Sequence, residues 1–290
     1  MFLGVLMGLL CAASWAIGSV SIRNLACKLD PFTLNAPRTL AGGVLMMILV
    51  LATGRTSLYV TVTPYKLFFL VASIAISSVI GDALYVTSIA RMGVSRTIPI
   101  ANAYPVLTLV LGLVFLHEKL SWPVGIGLLL VFAGVLLVSR RSASQEIDTV
   151  QPRSGLPFAI LAAIFWAVGM VMVAPGIQGL DALMATFIRT MALSLMLWLI
   201  VLVRRSYRQL KTLTRREWVI LIVGETIGWG LGTLFFVMAV SMLGPTRAAI
   251  LGSTPPLFAL PLSIIWLKEK PNLAIVSGTI LAVVGIAFVS

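Results

Sequence analysis

The chain has 290 residues, of which 60% are hydrophobic and only 10% are charged. Its mean hydropathy is +1.09. A soluble globular chain carries about 25% charged residues, so this composition excludes an ordinary soluble domain. Several runs of about 18 or more mostly apolar residues are long enough, as helices, to cross the hydrocarbon layer of a membrane. We therefore predict an all-α polytopic membrane protein.

The net charge of +12 is high for a chain with so few charged residues. In a soluble protein it would suggest nucleic acid as a partner, but membrane proteins retain Lys and Arg in their cytoplasmic loops. We expect a lipid bilayer and no nucleic acid around this chain. The two cysteines, Cys11 and Cys27, make neither a disulfide framework nor a metal site. We predict no metal and no cofactor.

Ten apolar segments follow one another in chain order, and each is predicted to be a transmembrane helix. They lie near residues 3–22, 32–53, 66–90, 95–116, 122–139, 155–173, 183–203, 217–242, 246–267 and 272–290. A polar stretch, residues 140–154, separates the fifth segment from the sixth. We interpret it as a linker between two halves, residues 1–139 and 155–290.

The two halves repeat each other without a gap, at an offset that places Asp30 on Asp181. About one quarter of the aligned pairs are identical, and an apolar bias does not explain the matched polar and aromatic residues. Those pairs include Trp15/Trp166, Asp30/Asp181, Arg38/Arg189, Gly93/Gly244, Arg96/Arg247, Pro105/Pro256 and Glu118/Glu269. A repeat of this kind indicates that the chain is built from two copies of one unit.

Each half contains five predicted helices, an odd number, so the second half enters the membrane in the opposite orientation. Inverted repeats are a transporter architecture in which the substrate site lies near the midplane between the halves. We therefore predict ten transmembrane helices, arranged as two inverted-topology five-helix repeats around a central cavity. The alternative is a duplication that merely enlarged a helix bundle.

The distribution of basic residues predicts the orientation of the chain. Fifteen of the 21 Lys and Arg residues fall in loops on one side, four fall on the other side, and two lie within predicted helices. The positive-inside rule places the fifteen in the cytoplasm. Both termini are then extracytoplasmic, and we expect a multi-pass protein of the cell membrane (inner or plasma membrane).

Two long stretches carry a family resemblance. The first is SIARMGVSRTIPIANAYPVLTLVLGLVFLHEKLSWPVGIGLLLVFAGVLLV, and VSMLGPTRAAILGSTPPLFALPLSIIWLKEKPNLAIVSGTILAVVGIAFV repeats its pattern. Each has a small-residue turn, a helix with a central proline, an apolar run ending in Glu, and a glycine-spaced closing helix. This pattern resembles the drug/metabolite transporter superfamily in its EamA-like branch. The resemblance implies a cavity lined by the first, third and fourth helices of each half. It further implies movement of small metabolites, often amino acid export, coupled to protons or to exchange.

Two acidic residues lie within predicted helices, where an ionisable group is costly and suggests function. Asp82 lies in the third segment and Glu225 in the eighth. Because the halves are inverted, both are displaced toward the same face, roughly 6 Å from the midplane at 1.5 Å per residue. They are candidates for binding a cationic substrate or for carrying protons. The alternative is that each pairs with an arginine or a backbone donor and only holds helices together.

Further candidates for the cavity lie near these acids or near the helix prolines. Ser78 and Tyr85 share a helix face with Asp82, and Trp229 and Thr233 share one with Glu225. The other candidate lining residues are Asn102, Tyr104, Ser253, Thr254, Trp15 and Trp166. Pro105 and Pro256 free backbone carbonyls that a cavity tolerates, although such prolines, like the two tryptophans, equally fit ordinary helix packing.

The remaining charged residues are interpreted as structural. Arg38 and Arg189 lie inside the second and seventh segments, where we predict a structural or gating role; direct anion binding is the alternative. Glu118 and Glu269 are interpreted as interfacial anchors, and His117 as a solvated loop residue.

The sequence thus predicts a secondary transporter rather than an enzyme, an exporter of a small polar metabolite such as an amino acid or amine. It would work by alternating access, with protons as an optional partner. One alternative is an organophosphate or nucleotide-sugar exchanger, which would depend on the arginines. The other is a lipid-headgroup translocator or a non-transporting membrane scaffold. A monomer and a homodimer fit the sequence equally well.

Overall fold

The computed structural model describes residues 1–22, 25, 28–55, 61–119, 121–142, 152–258 and 273–289, and in these ranges it contains helices and no strand. The helices in the first half are α1 (Phe2–Ile22), α2 (Pro31–Ala52), α3 (Pro64–Met92), α4 (Val94–Ala101), α5 (Tyr104–Phe115) and α6 (Trp122–Ser142). Those in the second half are α7 (Pro152–Ile177), α8 (Ala182–Val203), α9 (Arg215–Leu243), α10 (Pro245–Gly252) and α11 (Leu273–Val289).

Six of these helices, α1, α2, α3, α7, α8 and α9, are long and apolar enough to cross a membrane. Shorter apolar helices lie at Tyr104–Phe115, Trp122–Val138 and Val276–Val289. The prediction of an all-α polytopic membrane protein is confirmed. The ninth predicted segment falls within the described residues only as far as 258, so the count of ten helices stays a prediction.

The fourth predicted helix, 95–116, is not continuous: it breaks at residues 102–103 into α4 and α5. Pro105 explains the break, because proline has no N–H to donate and its ring collides with the carbonyl one turn earlier. The ninth segment breaks in the same way after Gly252, where Pro255 and Pro256 follow. The helical segments predicted at 95–116 and 246–267 are therefore each interrupted next to their prolines.

The helices on either side of the predicted linker, residues 140–154, extend into it. Helix α6 continues to Ser142, and α7 already begins at Pro152. Proline is well placed in a first helical turn, where its missing N–H has no partner to lose. Residues 143–151 lie outside the described residues.

Asp30 and Asp181, an aligned pair in the two halves, cap equivalent helices. The Asp30 carboxylate accepts hydrogen bonds from the N–H groups of Phe32 and Thr33 at the start of α2. The Asp181 carboxylate accepts them from Leu183 and Met184 at the start of α8. Each aspartate satisfies N–H groups that have no partner within the helix, which gives these matched residues a structural role.

The two halves pack through matched helix pairs. Helix α1 of the first half lies against α9 of the second, α7 of the second half lies against α3 of the first, and α2 lies against α8. Buried apolar side chains fill the contacts of α2, α8 and α9, among them Met46, Met184 and Val237. The halves are therefore interleaved, and their common boundary runs through the middle of the bundle.

Glycines allow α6 and α11 to approach closely. Gly127 lies beside the carbonyl of Gly285, and Gly134 lies beside the carbonyl of Gly278. The order of these contacts shows that the two helices run antiparallel. Small residues are typical of such membrane-helix contacts, since they bring the backbones together.

We expect Gly134→Ala to destabilise the protein, because the added methyl group collides with the Gly278 carbonyl. Overpacking of this kind costs about 1–3 kcal/mol. Gly125→Ala in the same helix is the matched control, since nothing lies within 4 Å of a methyl group there. Thermal unfolding in detergent should show a lower midpoint for Gly134→Ala alone. Equal midpoints for the two variants would contradict the close contact.

Candidate functional site

A cavity of about 450 Å³ lies between the two halves. Its wall is formed by residues of α1, α2, α3, α4, α5, α7, α8 and α9, by the last residue of α10, and by residues in the helix breaks that follow α4 and α10. Most of the predicted site residues line it: Trp15, Arg38, Ser78, Asp82, Tyr85, Asn102, Tyr104, Trp166, Arg189, Glu225, Trp229, Thr233, Ser253 and Pro256. The structure therefore brings residues from both halves to one space.

Two predicted residues, Thr254 and Pro105, do not line the cavity. Thr254 is fully buried, and its hydroxyl donates to the carbonyl of Leu251 in the last turn of α10. Pro105 is buried in the first turn of α5. Thr254 was predicted as a lining residue, whereas a structural or gating role is predicted for Pro105, which lies at the helix break beside the cavity.

The two aligned tryptophans occupy equivalent places. Trp15 packs over Gly232 of the other half, and Trp166 packs over Gly81, the residue aligned with Gly232. A methyl group on Gly81 would lie 2.7 Å from the Trp166 ring. Each indole is thus held against a glycine of the opposite half and lines the cavity, in addition to filling the core.

Asp82 lies in an aromatic part of the cavity. The indole Nε1 of Trp166 donates a 2.9 Å hydrogen bond to Asp82 Oδ1. The Tyr85 ring lies 5.1 Å from the Trp166 ring, and the Tyr104 ring meets the same indole edge-on at 5.8 Å. Among the described residues no cation lies within ion-pair distance of this carboxylate. Its second oxygen remains available to a ligand.

Glu225 is bound differently, by an ion pair that crosses the boundary between the halves. Arg38 Nη1 lies 2.9 Å from Glu225 Oε2, and the Glu225 side chain is fully buried. The Arg38 guanidinium also lies over the Trp229 ring, at 5.8 Å from its centroid. Gly18 leaves room for the carboxylate, since a methyl group there would lie 3.1 Å from Glu225 Oε1. One alternative from the sequence was that each acid pairs with an arginine. Glu225 does so in this conformation.

Both acids lie next to irregular helical turns. A π-helical stretch at Ala75–Gly81 ends directly before Asp82, and two such stretches, Ile220–Gly224 and Thr226–Leu231, flank Glu225. Wider turns of this kind are rare and occur often at functional sites. Sequence reasoning missed them; the nearby glycines were the available signal.

Arg189 lines the cavity but has no acidic partner among the described residues. It is 4% exposed, its Nη1 donates to the Ser73 hydroxyl, and its Nε has no hydrogen-bond partner. The position in the first half that is equivalent to Glu225 is Ile74, which carries no charge. The two aligned arginines therefore lie in different electrostatic surroundings.

Glu118, one of the two predicted interfacial anchors, does not line the cavity. Glu118 is half-buried and accepts a hydrogen bond from the hydroxyl of Thr246, in the first turn of α10. It thus connects the two halves rather than only facing the interface. His117 is exposed and has a positive φ of 51°. Glu269 lies outside the described residues.

Comparison with known proteins identifies the family to which this chain belongs. The model of the EamA-like transporter family matches the chain twice, at residues 2–140 and 153–290. An "Uncharacterized transporter" of Archaeoglobus fulgidus is 27% identical over 98% of this chain and 96% of its own length. The "Uncharacterized transporter YvbV" of Bacillus subtilis is 26% identical over 51% of this chain and 48% of its own length.

A relative of about half this length and a solved structure are also similar to this chain. An uncharacterized protein of Methanocaldococcus jannaschii is 25% identical over 47% of this chain and 95% of its own length. That protein has about the length of one half. A solved structure, titled only "Crystal structure of protein", superimposes with a TM-score of 0.78 over 98% of this chain and 94% of that chain, at 18% identity.

We expect Arg38→Gln and Glu225→Gln each to destabilise the protein strongly. Removing one partner of a buried ion pair leaves an uncompensated charge, at a cost of about 3–5 kcal/mol. The double variant should be more stable than the sum of the single effects predicts, since neither charge remains. The surface pair Lys28–Glu217 is the control, and the effects of its two single variants should be nearly additive, because a surface ion pair contributes little to stability. Additive midpoint shifts for Arg38 and Glu225 in thermal unfolding would contradict a buried pair.

Proposed function

Because the chain belongs to the EamA-like transporter family, we propose that it is a secondary transporter that exports a small polar metabolite, an amine or an amino acid, by alternating access. One observation carries the proposal. The cavity between the halves contains a carboxylate, Asp82, that has an aromatic wall and no cationic partner among the described residues. This combination fits a ligand with an ammonium group.

The chemistry of Asp82 supports an ammonium ligand in particular. A cation beside the carboxylate gains charge-assisted hydrogen bonds to its free oxygen. Two aromatic rings, Tyr85 and Trp166, lie beside this carboxylate, and aromatic rings attract cations that bind over their faces. The indole N–H of Trp166 fixes the carboxylate, so little side-chain freedom remains to be lost when the ligand binds.

The matched contacts support an arrangement of two inverted halves that rock about the cavity. The family model matches each half separately, and equivalent residues make reciprocal contacts: Trp15 with Gly232 and Trp166 with Gly81. The glycines of α6 and α11 are paired in the same reciprocal manner. In a two-fold related pair of halves, the site stays near the midplane while access to it changes sides. The count of basic residues favours extracytoplasmic termini.

The Arg38–Glu225 pair is our candidate for proton coupling. The pair links α2 of the first half to α9 of the second, so it must respond when the halves move relative to each other. A proton on Glu225 would remove the attraction to Arg38 and release this link. Transport coupled in this way would depend on a pH gradient.

We expect Asp82→Asn to abolish transport of amine-bearing substrates while the protein still folds. The amide keeps an oxygen for the Trp166 N–H but carries no charge for the ammonium group. Glu217→Gln is the matched control, because it removes a carboxylate at the surface, outside the cavity. The measurement is uptake of pooled metabolites into sealed proteoliposomes, with and without a pH gradient.

Three outcomes of this assay would count against the proposal. Unimpaired amine transport by Asp82→Asn would remove the carboxylate from the site. Transport of phosphorylated solutes that depends on Arg38 and Arg189 would favour an organophosphate or nucleotide-sugar exchanger. Lipid flipping without solute transport would favour the lipid-headgroup translocator.

A further inference from the structure

Four ionisable side chains among the described residues have charges that face the cavity: Arg38, Asp82, Arg189 and Glu225. Arg38 forms an ion pair with Glu225, and it also attracts Asp82 from beyond ion-pair distance. The charges that remain are one carboxylate, Asp82, and one guanidinium, Arg189. The cavity therefore has one negative group and one positive group, each without an ionic partner among the described residues.

Arg189 is a buried cation in the cavity wall that has no anionic partner among the described residues. A guanidinium stays charged in proteins, and burying a charge is costly unless it is paired. This side chain is 4% exposed, contacts the neutral Ser73 hydroxyl, and keeps an unpartnered Nε. The aligned residue of the first half, Arg38, has the Glu225 carboxylate as its ionic partner. An anionic ligand in the cavity would give Arg189 the partner that Arg38 already has.

The two unpaired charges lie at different levels of the cavity. Arg189 contacts Ser73, and Asp82 follows Ser73 on the same helix, α3. Asp82 lies nine positions after Ser73, which corresponds to at most about 13 Å along the axis, since the wider turns of Ala75–Gly81 advance less per residue than an α-helix does. Ser77 and Ser78 line the cavity between these levels. A ligand that reaches both charges must therefore be elongated.

We infer that the substrate is an elongated zwitterion, with its carboxylate on Arg189 and its ammonium group on Asp82. This inference rests on the proposed function, and it narrows the substrate class. The ammonium and carboxylate groups of an α-amino acid are attached to the same carbon, so that head group cannot reach both residues. An amine and a carboxylate at the two ends of a flexible chain can do so. Ser77 and Ser78, which line the cavity between the two levels, can contact the middle of such a molecule.

The test is binding of a homologous series to the purified protein, read by tryptophan fluorescence because Trp15 and Trp166 line the cavity. The zwitterionic probes are β-alanine, γ-aminobutyrate and ε-aminocaproate, and hexylamine and hexanoate are the matched single-charge probes. We expect affinity to rise with chain length. We expect ε-aminocaproate to bind at least about tenfold more tightly than hexylamine, because it adds one charge-assisted contact.

Arg189→Gln should abolish the preference for ε-aminocaproate over hexylamine. Arg189→Lys should restore part of the preference. Arg55→Gln is the control, since it removes an arginine that pairs with Asp181 outside the cavity. It should change neither affinity.

Failure of this inference differs from failure of the proposed function. If wild-type protein binds hexylamine as tightly as ε-aminocaproate, or binds neither, the elongated zwitterion is wrong; this comparison requires no variant. If the preference survives in Arg189→Gln, the assignment of the carboxylate to Arg189 is wrong. In all these cases, loss of transport in Asp82→Asn would still support the proposed function.

Discussion

A charge inside the hydrocarbon layer must have a partner, and this constraint organises the centre of the molecule. Glu225 is fully buried because Arg38 lies 2.9 Å away. The pair joins helices from different halves, so the distance between its two charges depends on the position of one half relative to the other. Asp82 and Arg189 have only neutral partners in the described part of the chain. The Trp166 N–H donates to Asp82, and the Ser73 hydroxyl accepts from Arg189. The charges that the protein leaves without an ionic partner define what the cavity can attract.

The two halves share a scaffold and differ in their chemistry. The tryptophans, the capping aspartates, the helix breaks and the arginines occur at aligned positions in both halves. The acids do not: the residue aligned with Asp82 is Thr233, and the residue aligned with Glu225 is Ile74. A repeated framework can keep the geometry of two opposed halves while a few unmatched residues make the site specific. The net charge of the cavity lining is therefore a property of this chain and not of the repeat.

The sequence predicts the scaffold well, because apolar length, proline position and an internal repeat are local or periodic signals. It placed the ends of most long helices within a few residues and named most of the residues that line the cavity. It did not predict that Glu225 pairs with Arg38, because that contact joins residues 187 positions apart. The turns next to Asp82 and Glu225 were missed, since a wider helical turn leaves no pattern distinct from glycine content. Thr254 was predicted to line the cavity, but only its neighbour Ser253 does so. At a helix break, adjacent side chains point in different directions, and that of Thr254 is buried in the protein.

The central claim is that the cavity opens in turn to the two sides of the membrane. Ser78 lines it near the middle of α3, so Ser78→Cys, in a chain whose Cys11 and Cys27 are replaced by serine, reports access to the cavity. A membrane-impermeant thiol reagent is applied to one side at a time, in oriented vesicles, with and without a transported amine or a pH gradient. Alternating access predicts labelling from both sides, with a ratio that the amine or the gradient changes. Labelling from one side only under every condition would contradict it.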